Sequence, residues 1–317
     1  MKPLAPTQTP TPVLLDVDPG HDDALALLTA AALPELELVG VTTVAGNQTL
    51  EKTTRNARAV LALGQIDVPI ARGAKCPLVR PPILAAHIHG ESGLDGAELP
   101  EPVRPLDPRP AAEFIVDTVR SYPGEITLVP TGPLTNIALA LRLAPDIATR
   151  IPRISLMGGA VGEGNTTASA EFNIFADPEA AHIVFASGIP ITMSGLDLTH
   201  QALADTSVLD RLTRMKTAVG RAAVGWLTFF GDRYREEAGL PYPPVHDVCA
   251  VMAVAHPECI ETVPMYVVVE TRGEHTIGRT VCDTRKRRSP PPNVDVGLRL
   301  DRERFWTLVL DALASYR

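Results

Sequence analysis

The stretch Val13-Leu14-Leu15-Asp16-Val17-Asp18-Pro19-Gly20-His21-Asp22-Asp23-Ala24 decides the fold of this chain. Its first half is a short apolar run and reads as a buried strand. Pro19-Gly20 ends that strand. An apolar helical pattern then runs over 22–32. Strand, tight turn and helix form the opening unit of a parallel sheet. The alternation continues outward, with strands expected over 38–44, 68–71, 126–130, 154–157 and 191–194. Helices are expected over 49–63, 111–121, 134–143 and 178–186. The strand cores lack polar alternation, as strands covered on both faces require.

After Asp197 the pattern changes. Residues 203–237 read as largely helical and 246–256 as another helix. Strands over 263–270, 277–283 and 294–300 suggest a small antiparallel element, and a helix over 302–316 closes the chain. No Ser/Gly linker or internal repeat interrupts it. The expected class is α/β: an open, mainly parallel Rossmann-like sheet, helices on both faces, and a C-terminal helical and small β addition. Residues 1–12, rich in Thr and Pro, read as a flexible tail, and 13–317 as one domain.

The 317 residues are 45% hydrophobic and 21% charged, ordinary globular usage. The net charge of -8 argues against a nucleic-acid partner. The one basic cluster, Arg285-Lys286-Arg287-Arg288, runs into Ser289 and three prolines and reads as a solvated loop. Cys76, Cys249, Cys259 and Cys282 form no CxxC pair and read as buried or half-buried thiols of a reducing cytosol. The N-terminal residues lack the apolar core of a signal peptide. The longest apolar stretch, 24–33, is too short to span a bilayer. A soluble cytoplasmic protein with no membrane partner is expected.

In open parallel sheets ligands bind beyond the carboxyl ends of the strands. The residues that follow the expected strands are acids, amides and hydroxyls. They are Asp16 to Asp23, Gly46-Asn47, Thr131-Gly132-Pro133, Met157-Gly158-Gly159 with the loop from Asn165 to Asn173, and Asp197. Asp16, Asp18, Asp22 and Asp23 place four carboxylates within eight residues. Their mutual repulsion is relieved by a hard cation, and an oxygen-only donor set favours calcium or magnesium over zinc. An EF-hand is excluded, because its sixth position would be His21 and its twelfth Leu27. Helix capping is the plain alternative for Asp22 and Asp23. It does not account for Asp16 and Asp18. His246-Asp247 follows Pro241-Tyr242-Pro243-Pro244 and opens a helix, where an N-terminal Asp with an incidental His is the plain alternative. The loop His87-Ile88-His89-Gly90-Glu91-Ser92-Gly93 has the character of an active-site lid. His182, His200, His256 and His275 carry no such signal.

At these residues the chain resembles the inosine–uridine-preferring nucleoside hydrolase family. The likeness begins in Asp16 to Ala24 and continues through Thr42-Thr43-Val44-Ala45-Gly46-Asn47, the lid, and Val129 to Asn136. It extends through Leu156-Met157-Gly158-Gly159, Glu163-Gly164-Asn165, Ala170-Glu171-Phe172-Asn173 and Asp177 to Ala181. It closes with Gly195 to His200 and Val245-His246-Asp247, in order over nearly the whole chain. The resemblance implies hydrolysis of the N-glycosidic bond of inosine- and uridine-type ribonucleosides, small-molecule substrates, in a homodimer or homotetramer. It implies Ca²⁺ bound by Asp18, Asp23, Asp247 and the main-chain carbonyl of Thr131. A water on that ion would lose its proton to Asp18. Asp22 would hold the ribose 2′-hydroxyl, Asn47 and Asn173 the 3′ side, and Asn165 and Glu171 the 5′-hydroxyl. Asp16 would lie behind the cluster, Met157 and Phe172 would pack near the ribose, and His89 would line the lid. His246 would assist departure of the base, with Tyr234 beside a pyrimidine. Phe230 stands where some members have Tyr, and Arg233, Arg235 and Tyr242 are candidates to shape the base pocket that the sequence does not place. No covalent intermediate is implied, so inversion at C1′ is expected.

Two other readings compete. Asp-x-Asp after a first strand also suits a haloacid-dehalogenase-like phosphatase. That chemistry needs a lysine at a later strand end, and Lys52, Lys75, Lys216 and Lys286 are poorly placed for it. A ribose-binding module without turnover would not need the intact Asp18 and His246.

Overall fold

The computed structural model describes residues 9–102, 104–285 and 290–317. Most of the expected N-terminal tail and of the basic cluster, residues 1–8 and 286–289, lie outside the described residues. The tail was expected to reach Pro12, but the first strand already begins at Thr11.

In chain order the elements are β1 (Thr11–Val17), α1 (His21–Ala32), β2 (Leu36–Thr43), α2 (Leu50–Leu63), β3 (Ile70–Arg72) and the short α3 (Ala86–His89). There follow α4 (Ala111–Ser121), β4 (Thr127–Pro130), α5 (Thr135–Leu143), β5 (Arg153–Met157), α6 (Phe172–Ala176), α7 (Pro178–Phe185), β6 (Ile191–Ser194) and α8 (Leu196–Thr199). The last third holds α9 (Thr206–Met215), α10 (Ala218–Ala238), α11 (His246–Ala255), β7 (Ile260–Val269), β8 (Thr280–Asp283), β9 (Val294–Leu300) and α12 (Arg302–Ala314).

The strands form one sheet in the order β3-β2-β1-β4-β5-β6-β9-β7-β8. Every pair from β3 to β9 is parallel, and β9-β7 and β7-β8 are antiparallel. β1 shows why both faces are covered. Val13, Leu15 and Val17 pack with α1, α11 and α12 on one face, and Leu14 packs with Phe114, Ile115 and Ile137 on the other. Alternate side chains of a strand point to opposite faces, so a run without polar interruption needs helices on both. Each fully buried leucine contributes about 2 kcal/mol of transfer free energy. Asp16 shares the face of Leu14, and its carboxylate accepts hydrogen bonds from Thr42 Oγ1 (2.6 Å) and Asn136 Nδ2 (2.7 Å).

Three expectations change. The late strands pair antiparallel with one another, as expected, but they also join the main sheet, since β9 pairs parallel with β6. Val294 and Val296 belong to the core of Ile191 and Met193, so an open edge at β6 would expose them. The long helical stretch is two helices. It breaks at Lys216, whose φ is 56°, and Thr217 Oγ1 then accepts the Gly220 amide at 3.0 Å to start α10. Cys76 is exposed, whereas Cys249 and Cys259 are buried and Cys282 is partly so; all four are free.

Candidate active site

The site lies at the carboxyl ends of β1, β2, β4 and β5. A cavity of about 370 Å³ opens there, within the usual range of small-molecule pockets. Its wall includes Asp22, Asn47, His89, Thr131, Met157 and Asn165. Of the expected residues, Glu171, Phe172, Asn173, Tyr234, His246 and Asp247 also reach it, as do Phe230 and His87. Asp18 and Asp23 do not line the cavity. They are fully buried behind it and bonded to residues that do.

Each acid is held by its neighbours. Asp18 accepts the Asn47 amide at 2.7 Å through Oδ2, and its buried Oδ1 has no partner among the described residues. Asp23 Oδ1 accepts Thr131 Oγ1–H at 2.7 Å, and Oδ2 accepts the Gly20 amide at 3.0 Å and Asn47 Nδ2 at 3.2 Å. The capping bond to Gly20 and the acid cluster therefore involve the same side chain. Capping does not exclude Asp23 from the acid cluster.

Asp22, Asp23 and Asp247 bring carboxylate oxygens within 4.8 Å of one another, all buried. Asp18 is not one of that trio, although Asp22 was expected to serve the sugar rather than the ion. Burial, then the charge of Asp23, pushes the Asp22 carboxyl up to about 8. Burial and the neighbouring acids likewise hold Asp18 and Asp247 well above the usual carboxylate range. Buried acids crowded in this way favour either protons or a cation. The donor set fits a hard cation. It is all oxygen, one buried oxygen is orphaned, and both nitrogens of the nearby His246 are already engaged.

Sugar-side residues form a second network. Asn173 Nδ2 donates to the Thr131 carbonyl at 2.7 Å and to the Met157 carbonyl at 3.2 Å. A carbonyl has two lone pairs, so the Thr131 oxygen keeps one free. Glu171 caps α6, accepting the amides of Asn173 (3.0 Å), Ile174 (3.2 Å) and Gly159 (2.9 Å). Burial pushes its carboxyl up to about 7 against those bonds. Asn165 Oδ1 accepts the Phe172 amide at 2.9 Å. The segment expected as a loop thus ends in a short helix, whose first turn presents Phe172 and Asn173.

On the base side, Tyr234 Oη lies 2.7 Å from His246 Nε2, and Thr199 Oγ1 lies 2.7 Å from His246 Nδ1. Burial pushes the His246 imidazole well below its usual range. A neutral imidazole has one donor and one acceptor, so one of the two hydroxyls donates to it and the other accepts. Sequence reading singled out Tyr234 and His246 but gave no role to Thr199, a small hydroxyl residue two positions after Asp197 in the Gly195 to His200 segment. It also missed His21, whose ring lies among those of His89, Phe229 and Phe230. Arg233, Arg235 and Tyr242 do not shape the pocket. The arginines pair with Glu236 and Asp232 at the surface, and Tyr242 lies by Thr206. No described lysine lines the cavity, and Lys52 instead donates to the Glu91 carbonyl at the surface.

Fold and site define an open α/β scaffold with a buried, oxygen-only acid cluster at the carboxyl edge of its sheet. The chain belongs to the inosine-uridine preferring nucleoside hydrolase family, whose model matches residues 13–307, and its activity is the hydrolysis of the N-glycosidic bond of ribonucleosides. It is 44% identical over 304 residues to the pyrimidine-specific ribonucleoside hydrolase RihB of Escherichia coli O139:H28, covering 96% of this chain and 97% of that one. The solved purine-preferring ribonucleoside hydrolase from Gardnerella vaginalis is 34% identical with a TM-score of 0.91, over 96% of this chain and 98% of that one. The plant nucleoside hydrolase PpNRh1 is 31% identical with a TM-score of 0.89, over 96% and 99%. No helix among the described residues is long and apolar enough to cross a membrane.

Proposed function

We propose that this chain cleaves ribonucleosides, pyrimidine ribonucleosides foremost, with calcium as its resident ion and Asp18 as the general base. One observation carries the reading. The buried acid cluster and the Tyr234–His246 pair meet at one cavity, which suits a cation-assisted attack on the sugar and a hydrogen-bonded departure of the base. The pyrimidine preference rests on the likeness to RihB.

Asp18, Asp23, Asp247 and the Thr131 carbonyl would hold the ion, with Asp22 close enough to share it or to take the ribose 2′-hydroxyl. When bound, calcium supplies positive charge that orients the 2′- and 3′-hydroxyls and lowers the pKa of an adjacent water. Asp18 accepts a proton from the attacking water as the water oxygen bonds to C1′. The C1′–N bond breaks with its electron pair on the base. Positive charge develops on the ribose in that transition state. The fixed carboxylates of Asp18 and Asp22 stabilise it without having to reorganise. Asn47 and Asn173 position the 3′ side, and Asn165 and Glu171 the 5′-hydroxyl. Met157 and Phe172 exclude water from the ring, and His89 closes the lid side. Tyr234, backed by His246 Nε2–H, presents its hydroxyl proton to the departing base. Attack opposite the base inverts C1′. A single domain over 13–317 and a cytoplasmic setting, read from the sequence, and assembly as a homodimer or homotetramer, taken from the family resemblance, complete the reading.

Free ribose released from uridine, cytidine, inosine and adenosine tests it. Uridine and cytidine are expected to release ribose without added phosphate, to stop when a chelator is present, and to resume with Ca²⁺. Asp18→Asn is expected to lower kcat by about 10³-fold or more, the upper part of what a lost general base costs plus a lost charge. Chelator-insensitive release, or an active Asp18→Asn protein, would overturn the assignment.

A further inference from the structure

We infer that His21 is a positioning residue: it holds the proton of His89 on Nδ1 and so makes His89 Nε2 a hydrogen-bond acceptor on the pocket wall, matched to a donor group of the nucleoside. The nucleoside as ligand rests on the function proposed above. The proton arrangement does not.

Two distances lead to it. His21 Nε2 lies 2.8 Å from the main-chain carbonyl of Asp95. A carbonyl only accepts, so His21 Nε2 carries a hydrogen. His21 Nδ1 lies 3.2 Å from His89 Nδ1. Both rings are buried, and a second proton on either would bury an unpaired charge. Neutral His21, protonated on Nε2, offers only a lone pair at Nδ1. His89 must therefore donate from its own Nδ1, and its Nε2 is left with a lone pair. That nitrogen has no partner among the described residues, and His89 lines the cavity. The direction of the whole chain is set by one backbone oxygen.

Packing holds the arrangement in register. The His21 ring stacks on His89 (5.3 Å between centroids), Phe229 (5.4 Å) and Phe230 (5.1 Å), and His89 stacks on Phe230 at 5.2 Å. A Cβ on Gly20 would collide with the His89 ring, so the lid histidine sits directly on the turn before α1. His21 thus ties the lid helix α3, the lid backbone at Asp95 and the aromatic face of α10 to the strand end that carries the acid cluster. An acceptor at His89 Nε2 selects for an O–H or N–H on the substrate. The ribose 5′-hydroxyl and a base N–H share that chemistry.

The test reads the proton directly. The calcium-loaded protein, labelled with ¹⁵N-histidine, is examined by long-range ¹H–¹⁵N correlation at neutral pH, with His89→Gln to assign the resonance. His89 is expected as the Nδ1–H tautomer in the native protein. His21→Gln, whose amide can also donate to Asp95 and accept from His89, is expected to retain it. His21→Leu is expected to release His89 to the Nε2–H form. In kinetics, His21→Leu should raise the KM of uridine about tenfold with kcat within about twofold, the size of one lost hydrogen bond, and His21→Gln should restore it. The analogue that lacks the matched donor should be indifferent to His21→Leu: 5′-deoxyuridine for the 5′-hydroxyl, 3-methyluridine for the base. An Nε2–H His89 in the native protein, a tautomer that persists in His21→Leu, or equal losses on uridine and both analogues would overturn the inference. A protein that showed the Nδ1–H tautomer but hydrolysed no nucleoside would overturn the proposed function and leave the relay standing.

Discussion

Thr199 shows how a residue that need not touch the substrate can set the chemistry of one that does. It is fully buried at the end of α8 and holds His246 Nδ1 at 2.7 Å. The opposite ring nitrogen, Nε2, faces Tyr234. Replacing Thr199 with valine keeps the shape and removes the hydroxyl, so the imidazole loses one of its two partners and the fixed direction of its proton. An unpaired buried polar group costs about 1–3 kcal/mol. We expect Thr199→Val to lower kcat on uridine about tenfold, with KM little changed and Thr199→Ser near native. The decisive comparison is a ribonucleoside analogue with a p-nitrophenolate leaving group, which departs without needing a proton. Its cleavage should be insensitive to the valine. Equal losses on both substrates would show that Thr199 serves packing alone.

Among the elements, α10 is the one that joins lid to site. It carries Phe229, Phe230 and Tyr234 on one face, and Gly225 lies where the lid backbone crosses it. A Cβ on Gly225 would collide with the Gly96 carbonyl. Gly225→Ala therefore pushes the lid off the helix, at about 1–3 kcal/mol, the usual cost of overpacking. We expect a lower Tm and a KM for uridine raised about tenfold, with kcat less affected. An unchanged KM would mean that the lid docks independently of α10. Elements also mark what was legible in the sequence. The unit from β1 to α1 was readable because its signals are local: an apolar run, Pro-Gly, then an apolar helical period. The acid cluster was readable because Asp16, Asp18, Asp22 and Asp23 fall within eight residues of one another. The joining of the late strands to the main sheet was not legible because periodicity gives an element but not its partner. Nothing between 263 and 300 says that β9 will lie beside β6. His21 was hidden for a similar reason, since its partner is 68 residues away and a lone histidine between two carboxylate signals carries no period.

For the whole molecule, the site is a concentration of buried charge that folding must accommodate. Glu171 gives the pH dependence of that burden. Its carboxyl is buried, and its pKa rises from 4.5 to about 7 because burial outweighs three amide hydrogen bonds. A group that holds its proton more tightly when folded makes the folded state bind more protons than the unfolded one. Stability is then greatest below about 4.5, falls as pH climbs to about 7, and is flat above that. A change from 4.5 to about 7 is worth about 3 kcal/mol. The calcium-free protein should therefore lose stability across this window, and Glu171→Gln should lose correspondingly less. Calcium acts by a different route. It binds the folded cluster and not the unfolded chain, so at a hundred times its Kd it adds about 2.7 kcal/mol. Urea unfolding in chelator at several pH values, with and without Glu171→Gln, separates the two contributions. The buried histidines, lowered by burial, act in the opposite direction, so the difference between the native and Glu171→Gln curves is what isolates the carboxyl. A difference that stays level between pH 4.5 and 7 would show that the amides at the start of α6 offset the cost of burying Glu171. A fall of the predicted size that Glu171→Gln diminishes, with stability restored by calcium in both proteins, would place the sugar-side carboxyl and the ion site under separate control.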